Sequence, residues 1–219
     1  MPRKTKKWAV APRAGPHKKF ESIPLQVVAR DILKLVETGK DAKTIIHRGE
    51  ILIDGKKRKD HAFPVGLFDV ISIPKINSFY RVVPSSKGLL VVKIPEKESN
   101  EKICKIDNKT IVRKGKLQLN LHDGKNILAG DKKFKTGDSV LLELPTLKIK
   151  EHVPLASGSI GIVARGTDSG KIGKVKDVVV TRNMEPTKII CEIEGKQEEV
   201  LKERFFVIGT SKPLITVSE

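Results

Sequence analysis

The sequence predicts an α+β protein that is mostly β and consists of several small domains. Its 219 residues are too many for one small module. The apolar fraction of 38% comes mainly from Ile, Val and Leu, with only seven Phe, one Trp and one Tyr, which favours strands and small barrels. Helical spacing appears near the N-terminus, and short strand patterns separated by turn clusters occupy most of the remainder.

The excess of cations points to a polyanionic partner. The formal net charge is +17 and the pI is near 9.9. Surplus charge of this size strains a compact state unless a counter-charge relieves it. Residues 1–60 hold 16 Lys or Arg against 7 Asp or Glu, whereas residues 145–219 hold 12 against 10. We therefore expect the affinity for the anion to lie toward the N-terminus.

The cysteines and the hydropathy of the sequence indicate the cellular compartment of the protein. Cys104 and Cys191 are far apart and lack CxxC spacing, so they predict buried thiols in a reducing compartment, with no zinc cage and no disulfide. No apolar run approaches the roughly 18 residues of a membrane span, and the basic N-terminus lacks the apolar segment of a secretory signal. We expect a cytoplasmic protein without a membrane partner.

Residues 1–21 are predicted to form a basic arm. The stretch MPRKTKKWAVAPRAGPHKKF has seven Lys or Arg, three Pro and no acidic residue, which is too little apolar material to fold alone. It fits either a solvated tail or an arm that orders on nucleic acid, and the charge favours the arm, with Trp8 or His17 stacking on RNA. The candidate RNA contacts in the arm are Arg3, Lys4, Lys6, Lys7, Trp8, Arg13, His17, Lys18 and Lys19.

The segment IPLQVVARDILKLVETG predicts an amphipathic helix that ends at Thr38-Gly39. Its apolar positions at helical spacing are Leu25, Val28, Ile32, Leu35 and Val36. Arg30 and Lys34 would lie one turn apart on its polar side, where a solvated face and a phosphate-facing one are equally compatible with the pattern.

The segment DAKTIIHRG predicts a second, shorter helix capped by Asp41. Ile45 and Ile46 would face inward. The outward positions would be Lys43, His47 and Arg48.

A cation-rich hairpin follows the two helices. EILI is a predicted strand, Asp54-Gly55 is a strong signal for a tight turn, and FDVISI is the next strand. Directly after the turn come Lys56, Lys57, Arg58 and Lys59. Four adjacent cations repel one another, which is tolerable if phosphates of a bound RNA offset the repulsion.

This order of elements, with the words GEILIDGK and DVISI, resembles the alpha-L RNA-binding fold of ribosomal proteins, pseudouridine synthases, heat-shock proteins and tyrosyl-tRNA synthetases. The resemblance implies an alpha-L domain over residues 22–84, whose helices and hairpin dock on the backbone of folded RNA. The implied RNA contacts are Arg30, Lys34, Lys43, Arg48, Lys56, Lys57, Arg58 and Lys59. The family usually has Gly-Asp before its last strand, where this chain has Phe68-Asp69.

Residues 85–156 are predicted to form a central β-barrel-like domain. The strand patterns of this part of the chain, beginning just before it, are FYRVVP, GLLVVKIP, KICKID, KTIVRKG, KLQLNL and SVLLELP. His122-Asp123-Gly124 could suggest a metal or hydrolase site, but no second cluster has ligand spacing, and Asp-Gly between strands predicts a turn. We expect no catalytic residues, no metal and no cofactor.

Residues 157–219 contain the Gly-rich stretch GSIGIVARGTDSGKIGKVKDVVV. It departs from a P-loop, because only three residues separate Gly166 from Gly170 and Ile172 follows Lys171. It resembles the KOW motif, which implies a C-terminal SH3-like KOW barrel. Its glycines would allow tight turns and bends at Gly158, Gly161, Gly170 and Gly173. Its basic residues presented to RNA or protein would be Arg165, Lys171 and Lys174.

The whole arrangement, with the closing words FFVIGTSKPLITV, resembles the e-type protein four family of the archaeal and eukaryotic small ribosomal subunit. The chain stops soon after these words, so an archaeal-type member is expected. The resemblance implies a structural protein of the subunit body that contacts the 5′ domain of ribosomal RNA and neighbouring ribosomal proteins, with no small-molecule substrate. Because aromatics are few, recognition of RNA shape and backbone is favoured over base reading.

Three other classes remain to be tested. An RNA-modifying enzyme would need a catalytic domain with a nucleophile or general base, which residues 75–219 do not suggest. A KOW-containing transcription or translation factor would bind polymerase without stable association with small subunits. A general DNA-binding protein is compatible with the charge alone, and competition between RNA and DNA would decide.

Overall fold

The computed structural model describes residues 10–112, 115–130, 133–180 and 186–217. Over these ranges the chain is mostly β, as predicted. Its strands form three five-stranded antiparallel sheets and a two-stranded ladder. The three sheets follow one another along the chain, and we call them the N-terminal, central and C-terminal sheets.

The N-terminal region contains two short helices and the first sheet. Its elements are β1 (Ser22–Pro24), α1 (Leu25–Val27), α2 (Gly39–His47), β2 (Leu52–Ile53), β3 (Lys56–Lys57), β4 (Pro64–Gly66), β5 (Val70–Ile73), β6 (Ser78–Ser85) and β7 (Gly88–Ile94). β1 pairs with β4, and the sheet order is β3-β2-β5-β6-β7. The domain boundary expected at residue 84 therefore lies inside the β6–β7 hairpin rather than between two sheets.

The first helix is shorter than its apolar spacing predicts. After α1 the chain continues as a π-helical turn over Val28–Ile32, in which the Leu33 N–H donates to the Val28 carbonyl. Lys34 then adopts a left-handed backbone with φ 51°. The prediction that this helix extends to Thr38-Gly39 is wrong, because the left-handed residue interrupts the helical hydrogen bonds.

The second helix begins earlier than predicted. The N-cap of α2 is Thr38, whose hydroxyl accepts a hydrogen bond from the Asp41 N–H at 3.1 Å. The Asp41 carboxylate accepts from the Thr38 hydroxyl at 2.6 Å and lies in the first helical turn, where negative charge is favourable. The prediction that Asp41 is the cap is therefore wrong. Ala42 and Ile46 face the core.

The central sheet has the order β10-β9-β8-β11-β12. Its strands are β8 (Glu101–Val112), β9 (Lys116–Leu121), β10 (Asn126–Ala129), β11 (Ser139–Glu143) and β12 (Lys148–Val153). The predicted strand KICKID and the first four residues of KTIVRKG form one long strand, β8, with an irregular register between Ile106 and Asn108. Its core is lined by residues such as Cys104, Leu119 and Val140.

The C-terminal sheet has the order β16-β15-β14-β13-β17. Its strands are β13 (Ile160–Val163), β14 (Ile172–Val179), β15 (Lys188–Ile193), β16 (Lys196–Leu201) and β17 (Phe205–Gly209). Gly161 and Gly173 are directly opposite each other on β13 and β14. The Phe205 ring occupies the space of a side chain at Gly161, since a Cβ there would lie 2.2 Å from that ring. The close approach explains why glycine is needed at this position.

One apolar cluster joins the three sheets. Its buried members are Phe68, Val83, Val92, Ile103, Leu141, Ile162, Phe206, Ile208 and Ile215. Because this cluster contains side chains from every sheet, the described chain packs as one body rather than as separate domains without mutual contact.

Candidate nucleic-acid interface

The predicted tight turn at Asp54-Gly55 is confirmed, and it projects the cations outward. Both residues have positive φ, 51° and 72°, as a two-residue hairpin turn between β2 and β3 requires. β3 is an edge strand formed by Lys56 and Lys57, and both side chains are exposed. The turn therefore places two adjacent ammonium groups on an open sheet edge.

The last two cations of the run have different environments. Arg58 is half-buried, and its guanidinium carbon lies 4.5 Å from the centroid of the Phe63 ring. Lys59 is exposed. Arg58 thus supports the hairpin through packing, while Lys59 extends the exposed cationic surface.

Helix α2 presents further cations. With Ala42 and Ile46 turned to the core, Lys40, Lys43 and His47 are exposed on the outer side. Arg48, the residue after the helix, is also exposed.

Two contacts place the helix cations beside the hairpin and the arm beside Asp60, the residue after the cation run. The stem of Lys57 packs over Gly49, next to Arg48. Arg13 of the arm lies 3.5 Å from Asp60. We call the resulting surface the hairpin–helix face, formed by Arg13, Lys43, His47, Arg48, Lys56, Lys57, Arg58 and Lys59.

The hairpin–helix face also affects His61, which lies within it. Burial is the main cause that lowers the pKa of His61, and the charge of Lys43 lowers it further. Asp60 opposes this effect by raising the pKa, and Arg13 and His47 make smaller contributions that lower it. Burial therefore accounts for most of the lowered pKa, and the nearby cations add to it. Within the described chain, Lys43, Arg48, Lys56, Lys57 and Lys59 have no carboxylate within 4 Å.

Arg30 and Lys34 do not form the predicted pair on one helix side. Arg30 donates two hydrogen bonds to Asp31, at 3.0 and 2.8 Å, and this contact raises its pKa. Lys34 is exposed beyond the end of the helix. Arg30 is therefore already neutralised within the protein, and Lys34 stands apart from it.

His17 faces inward, contrary to the expectation that its ring is open to RNA. Its Nε2 lies 3.0 Å from both carboxylate oxygens of Asp69, and the residue is buried. Lys18 and Lys19, which follow it, are exposed. The predicted arm residues Arg3, Lys4, Lys6, Lys7 and Trp8 lie outside the described residues.

Two of the three C-terminal cations are paired with acids. Arg165 forms an ion pair with Glu21 of the arm. Lys171 lies 2.9 Å from Asp168, and the hydrogen bond to Asp168 raises the Lys171 pKa. Lys174 is exposed on β14.

A buried ionic junction behind the hairpin was missed by reasoning from the sequence. Lys102, 0% exposed, lies 2.7 Å from Asp54, 2.5 Å from Asp69 and 2.9 Å from Asp123. Lys125 contacts Asp54 at 2.5 Å and Asp123 at 2.9 Å. We call these five residues the ionic junction. The only available signal was the charged Lys within the apolar strand word KICKI.

Charge pairing dominates the protonation of the ionic junction. Burial alone would raise the pKa of the Asp69 carboxyl, but Lys102 and His17 outweigh burial and hold that pKa well below its usual range. Burial alone would lower the pKa of Lys102, but the three carboxylates hold it well above its ordinary value. Asp69 and Lys102 are therefore ionised at neutral pH, and the junction ties the hairpin turn to the central sheet.

Cys104, His122 and Asp123 lie close enough together to be considered as metal ligands, since their donor atoms are within 4.8 Å of one another. His122 Nδ1 accepts from the Lys105 N–H at 3.3 Å, and its Nε2–H donates to the Leu67 carbonyl at 3.2 Å. Burial raises the pKa of the Cys104 thiol, which donates to Asp123 at 3.8 Å. These contacts occupy the ligand atoms, so the cluster fits a hydrogen-bonded domain contact better than a metal centre.

Comparisons with known proteins agree on one family. The family model for ribosomal family S4e matches residues 76–149. The small ribosomal subunit protein eS4 of Methanothermobacter thermautotrophicus is 43% identical over 213 residues, covering 96% of this chain and 88% of that protein. The protein of the same name from Archaeoglobus fulgidus is 44% identical over 218 residues, covering 98% and 92% respectively.

A solved structure shows the same fold. The crystal structure of the 30S ribosomal protein S4e from Thermoplasma acidophilum matches with a TM-score of 0.75 and 27% identity, covering 87% of this chain and 96% of that one. No helix within the described ranges is both long and apolar enough to span a membrane.

Fold and surface together define a basic, mostly β protein with an N-terminal face on which several exposed cations have no carboxylate within 4 Å among the described residues. The curated relatives extend over nearly its whole length at more than 40% identity. The chain belongs to the ribosomal S4e family, which confirms the resemblance in the sequence.

Proposed function

We propose that this protein is a structural constituent of the small subunit of the cytoplasmic ribosome, where it binds folded ribosomal RNA through the hairpin–helix face. The observation that carries the proposal is the set of exposed cations on this face that lack a carboxylate partner. The relatives named small ribosomal subunit protein eS4 support it. The role is structural rather than enzymatic, and its partners are ribosomal RNA of the 5′ domain and neighbouring ribosomal proteins.

Binding is driven by neutralisation of phosphates. Each phosphate that a Lys or Arg neutralises releases condensed counterions. The logarithm of the binding constant therefore falls with the logarithm of the salt concentration, with a slope of about −0.7 to −0.9 per phosphate contacted. Backbone contact of this kind recognises the shape of folded RNA rather than its base sequence.

The domain organisation follows the same proposal. Residues 1–21 act as a basic arm, residues 22–84 as an alpha-L RNA-binding module, and residues 157–219 as an SH3-like KOW module, with the β domain of residues 85–156 between them. Two helices beside a cationic hairpin support the alpha-L assignment. The opposed glycines Gly161 and Gly173, the first of them beneath Phe205, and the basic loop at Arg165 support the KOW assignment.

The ionic junction contributes by fixing the hairpin before RNA arrives. Asp54 is the first residue of the turn, and its carboxylate is held by Lys102 and Lys125 of the central sheet and by the Val70 N–H at 3.1 Å. A rigid turn loses less conformational entropy on binding than a flexible loop. The cations of β3 are therefore pre-positioned for phosphates.

The proposal is tested by replacing Lys56, Lys57 and Lys59 together with Ala in the full chain. Arg58 is retained because its guanidinium packs on Phe63. We expect the affinity for a small-subunit RNA transcript containing the 5′ domain to fall at least about tenfold, and the salt slope to decrease by about two. Filter binding at several salt concentrations measures both quantities.

A matched control removes the same charge elsewhere. Lys116, Lys148 and Lys196 are exposed on the central and C-terminal sheets, and their triple Ala variant carries the same net charge. We expect this control variant to keep most of the RNA affinity of the unmodified protein and most of its salt slope. Equal losses in the two variants would show that net charge, and not the hairpin–helix face, determines binding.

A further inference from the structure

Phe20 is an aromatic side chain with no role in the fold. It is 97% exposed, and it is the one aromatic residue that is exposed within the described ranges. An apolar ring in this position contributes no buried area, and it adds an unfavourable contact with water. Its presence therefore points to a partner.

The backbone around Phe20 is anchored on both sides. Phe20 lies in a 3₁₀ turn, Lys19–Glu21, in which the Glu21 N–H and the Ser22 hydroxyl both donate to the Lys18 carbonyl, at 2.9 and 3.0 Å. Upstream, His17 is buried against Asp69, and downstream Glu21 pairs with Arg165. The ring is thus presented from a fixed turn rather than from a loose tail, which lowers the entropy cost of stacking.

Phe20 lines a cleft of about 1210 Å³ between the arm, the β6–β7 turn and the loop that carries Arg165. This space is large enough for a nucleotide. Hydroxyl-bearing residues on its walls include Ser85, Ser86 and Ser169.

Two of the cations on the cleft walls already have partners within the protein. Arg165 pairs with Glu21, and the Lys105 ammonium donates to the carbonyls of Lys202 and Phe205 at 2.7 and 3.0 Å. Arg165 and Lys105 are therefore not free to bind a phosphate inside the cleft. In contrast, Lys18 and Lys19 are exposed beside the ring, and the described residues place no carboxylate within 4 Å of them.

We propose that Phe20 stacks on an unpaired base of the bound RNA at the mouth of this cleft, while Lys18 and Lys19 contact the adjoining phosphates. A stacking ring beside two cations is the arrangement by which proteins hold extruded bases. The inference rests on the proposed RNA-binding function. It adds a single base contact to a surface that otherwise contacts the phosphate backbone of the RNA.

The test compares Phe20→Leu, Phe20→Tyr and Ile111→Ala in the full chain, with the small-subunit RNA transcript as the probe. Leu keeps apolar area but removes the ring, Tyr keeps the ring, and Ile111 is a distant exposed apolar residue on β8. We expect Phe20→Leu to weaken binding about five- to a hundredfold with an unchanged salt slope, because stacking releases no counterions. Phe20→Tyr and Ile111→Ala should bind within about twofold of the unmodified protein.

Three outcomes would overturn the inference. The first is wild-type affinity in Phe20→Leu. The second is a reduced salt slope in that variant, which would assign the effect to charge. The third is normal RNA affinity combined with poor incorporation into small subunits, which would indicate that a protein covers Phe20. Failure of the unmodified chain to bind the transcript would instead overturn the proposed function itself.

Discussion

The Lys102 ammonium lies 2.5 Å from Asp69 Oδ1, and this buried contact connects the central sheet to the turn that precedes β5. Asp69 is also held by His17 of the arm and by the Gly66 N–H at 2.9 Å. A buried charge is tolerated only when partners replace its hydration. One lysine therefore couples the arm, the hairpin region and the central sheet.

Replacing Lys102 with Met should destabilise the protein strongly. Met has a similar length, but it leaves the carboxylates of Asp54, Asp69 and Asp123 with less compensation in a buried site. Breaking a buried ion pair by removing one partner costs about 3–5 kcal/mol. Urea unfolding at pH 7 measures the free energy of unfolding.

The matched control is Lys93→Met. Lys93 is exposed on β7, and we expect its replacement to change the free energy of unfolding by no more than about 0.5 kcal/mol. If Lys102→Met lowered the free energy of unfolding by less than about 1 kcal/mol, the ionic junction would not stabilise the native state.

His122 should make stability depend on pH between about 6.5 and 4. Burial lowers its pKa to about 4 from an ordinary value of 6.5. Above pH 6.5 the ring is neutral in both folded and unfolded chains. As the pH falls through this window the unfolded chain takes up a proton that the folded chain does not, so up to about 3 kcal/mol of stability is lost.

Comparison with His122→Gln isolates this contribution. The variant has no ionisable group at this position, so its loss of unfolding free energy between pH 7 and pH 4 should be smaller than that of the unmodified protein. NMR should also show the neutral Nε2–H tautomer, since Nε2 is 3.2 Å from the Leu67 carbonyl. Identical pH profiles in the two proteins would exclude the assigned pKa.

Local patterns in the sequence predicted the hairpin well. Asp54-Gly55 determines its turn by backbone conformation alone, and of the cations after it Lys56, Lys57 and Lys59 are exposed while Arg58 is half-buried. The prediction makes the first helix too long because Ile32 and Leu35 keep helical spacing while they pack on the core from the π-helical turn and the irregular segment after it. Spacing reports which side chains are buried, and it does not report the backbone that buries them.

The contacts between distant segments could not be predicted from the sequence. Lys102 and Asp69 are 33 positions apart, and His17 and Asp69 are 52 apart. A lysine in a strand is normally a solvent-facing residue, and a histidine in a basic arm is normally exposed. Only the packing of the three sheets shows that both are buried, which is why His17 was assigned to RNA.

Gly170→Ala should be more destabilising than Gly88→Ala. Both glycines have positive φ, 92° and 112°, so Ala introduces backbone strain of about 1–3 kcal/mol at either position. At Gly88 a Cβ meets nothing within 4 Å. At Gly170 it would lie 2.9 Å from the Pro84 carbonyl oxygen and from Ser85 Cα, where the C-terminal loop packs on β6.

The difference between the two glycine variants reports that packing contact. We expect the free energy of unfolding of Gly170→Ala, measured by thermal or urea unfolding, to be lower than that of Gly88→Ala by about 1 kcal/mol or more. The reason is that backbone atoms cannot move aside as a flexible side chain does. Equal losses would show that the C-terminal loop does not press against the β6–β7 hairpin in solution.

Phe68 occupies a left-handed position with φ 60°, where the resembling alpha-L proteins usually have Gly. Its ring is 0% exposed and packs against Phe206 of β17 with centroids 4.6 Å apart, so the strain is offset by a contact between the N-terminal and C-terminal sheets.

Two substitutions separate the strain at Phe68 from the packing of its ring. Phe68→Ala removes the ring and keeps the strain, and we expect a loss of about 3–5 kcal/mol in urea unfolding. Phe68→Gly also removes the ring but relieves the strain, so it should be more stable than Phe68→Ala by about 1 kcal/mol, while remaining less stable than the unmodified protein. If the free energy of unfolding of Phe68→Gly matched or exceeded that of the unmodified protein, the ring would not hold the two sheets together. If it were no more stable than Phe68→Ala, the left-handed backbone would carry no cost at this turn.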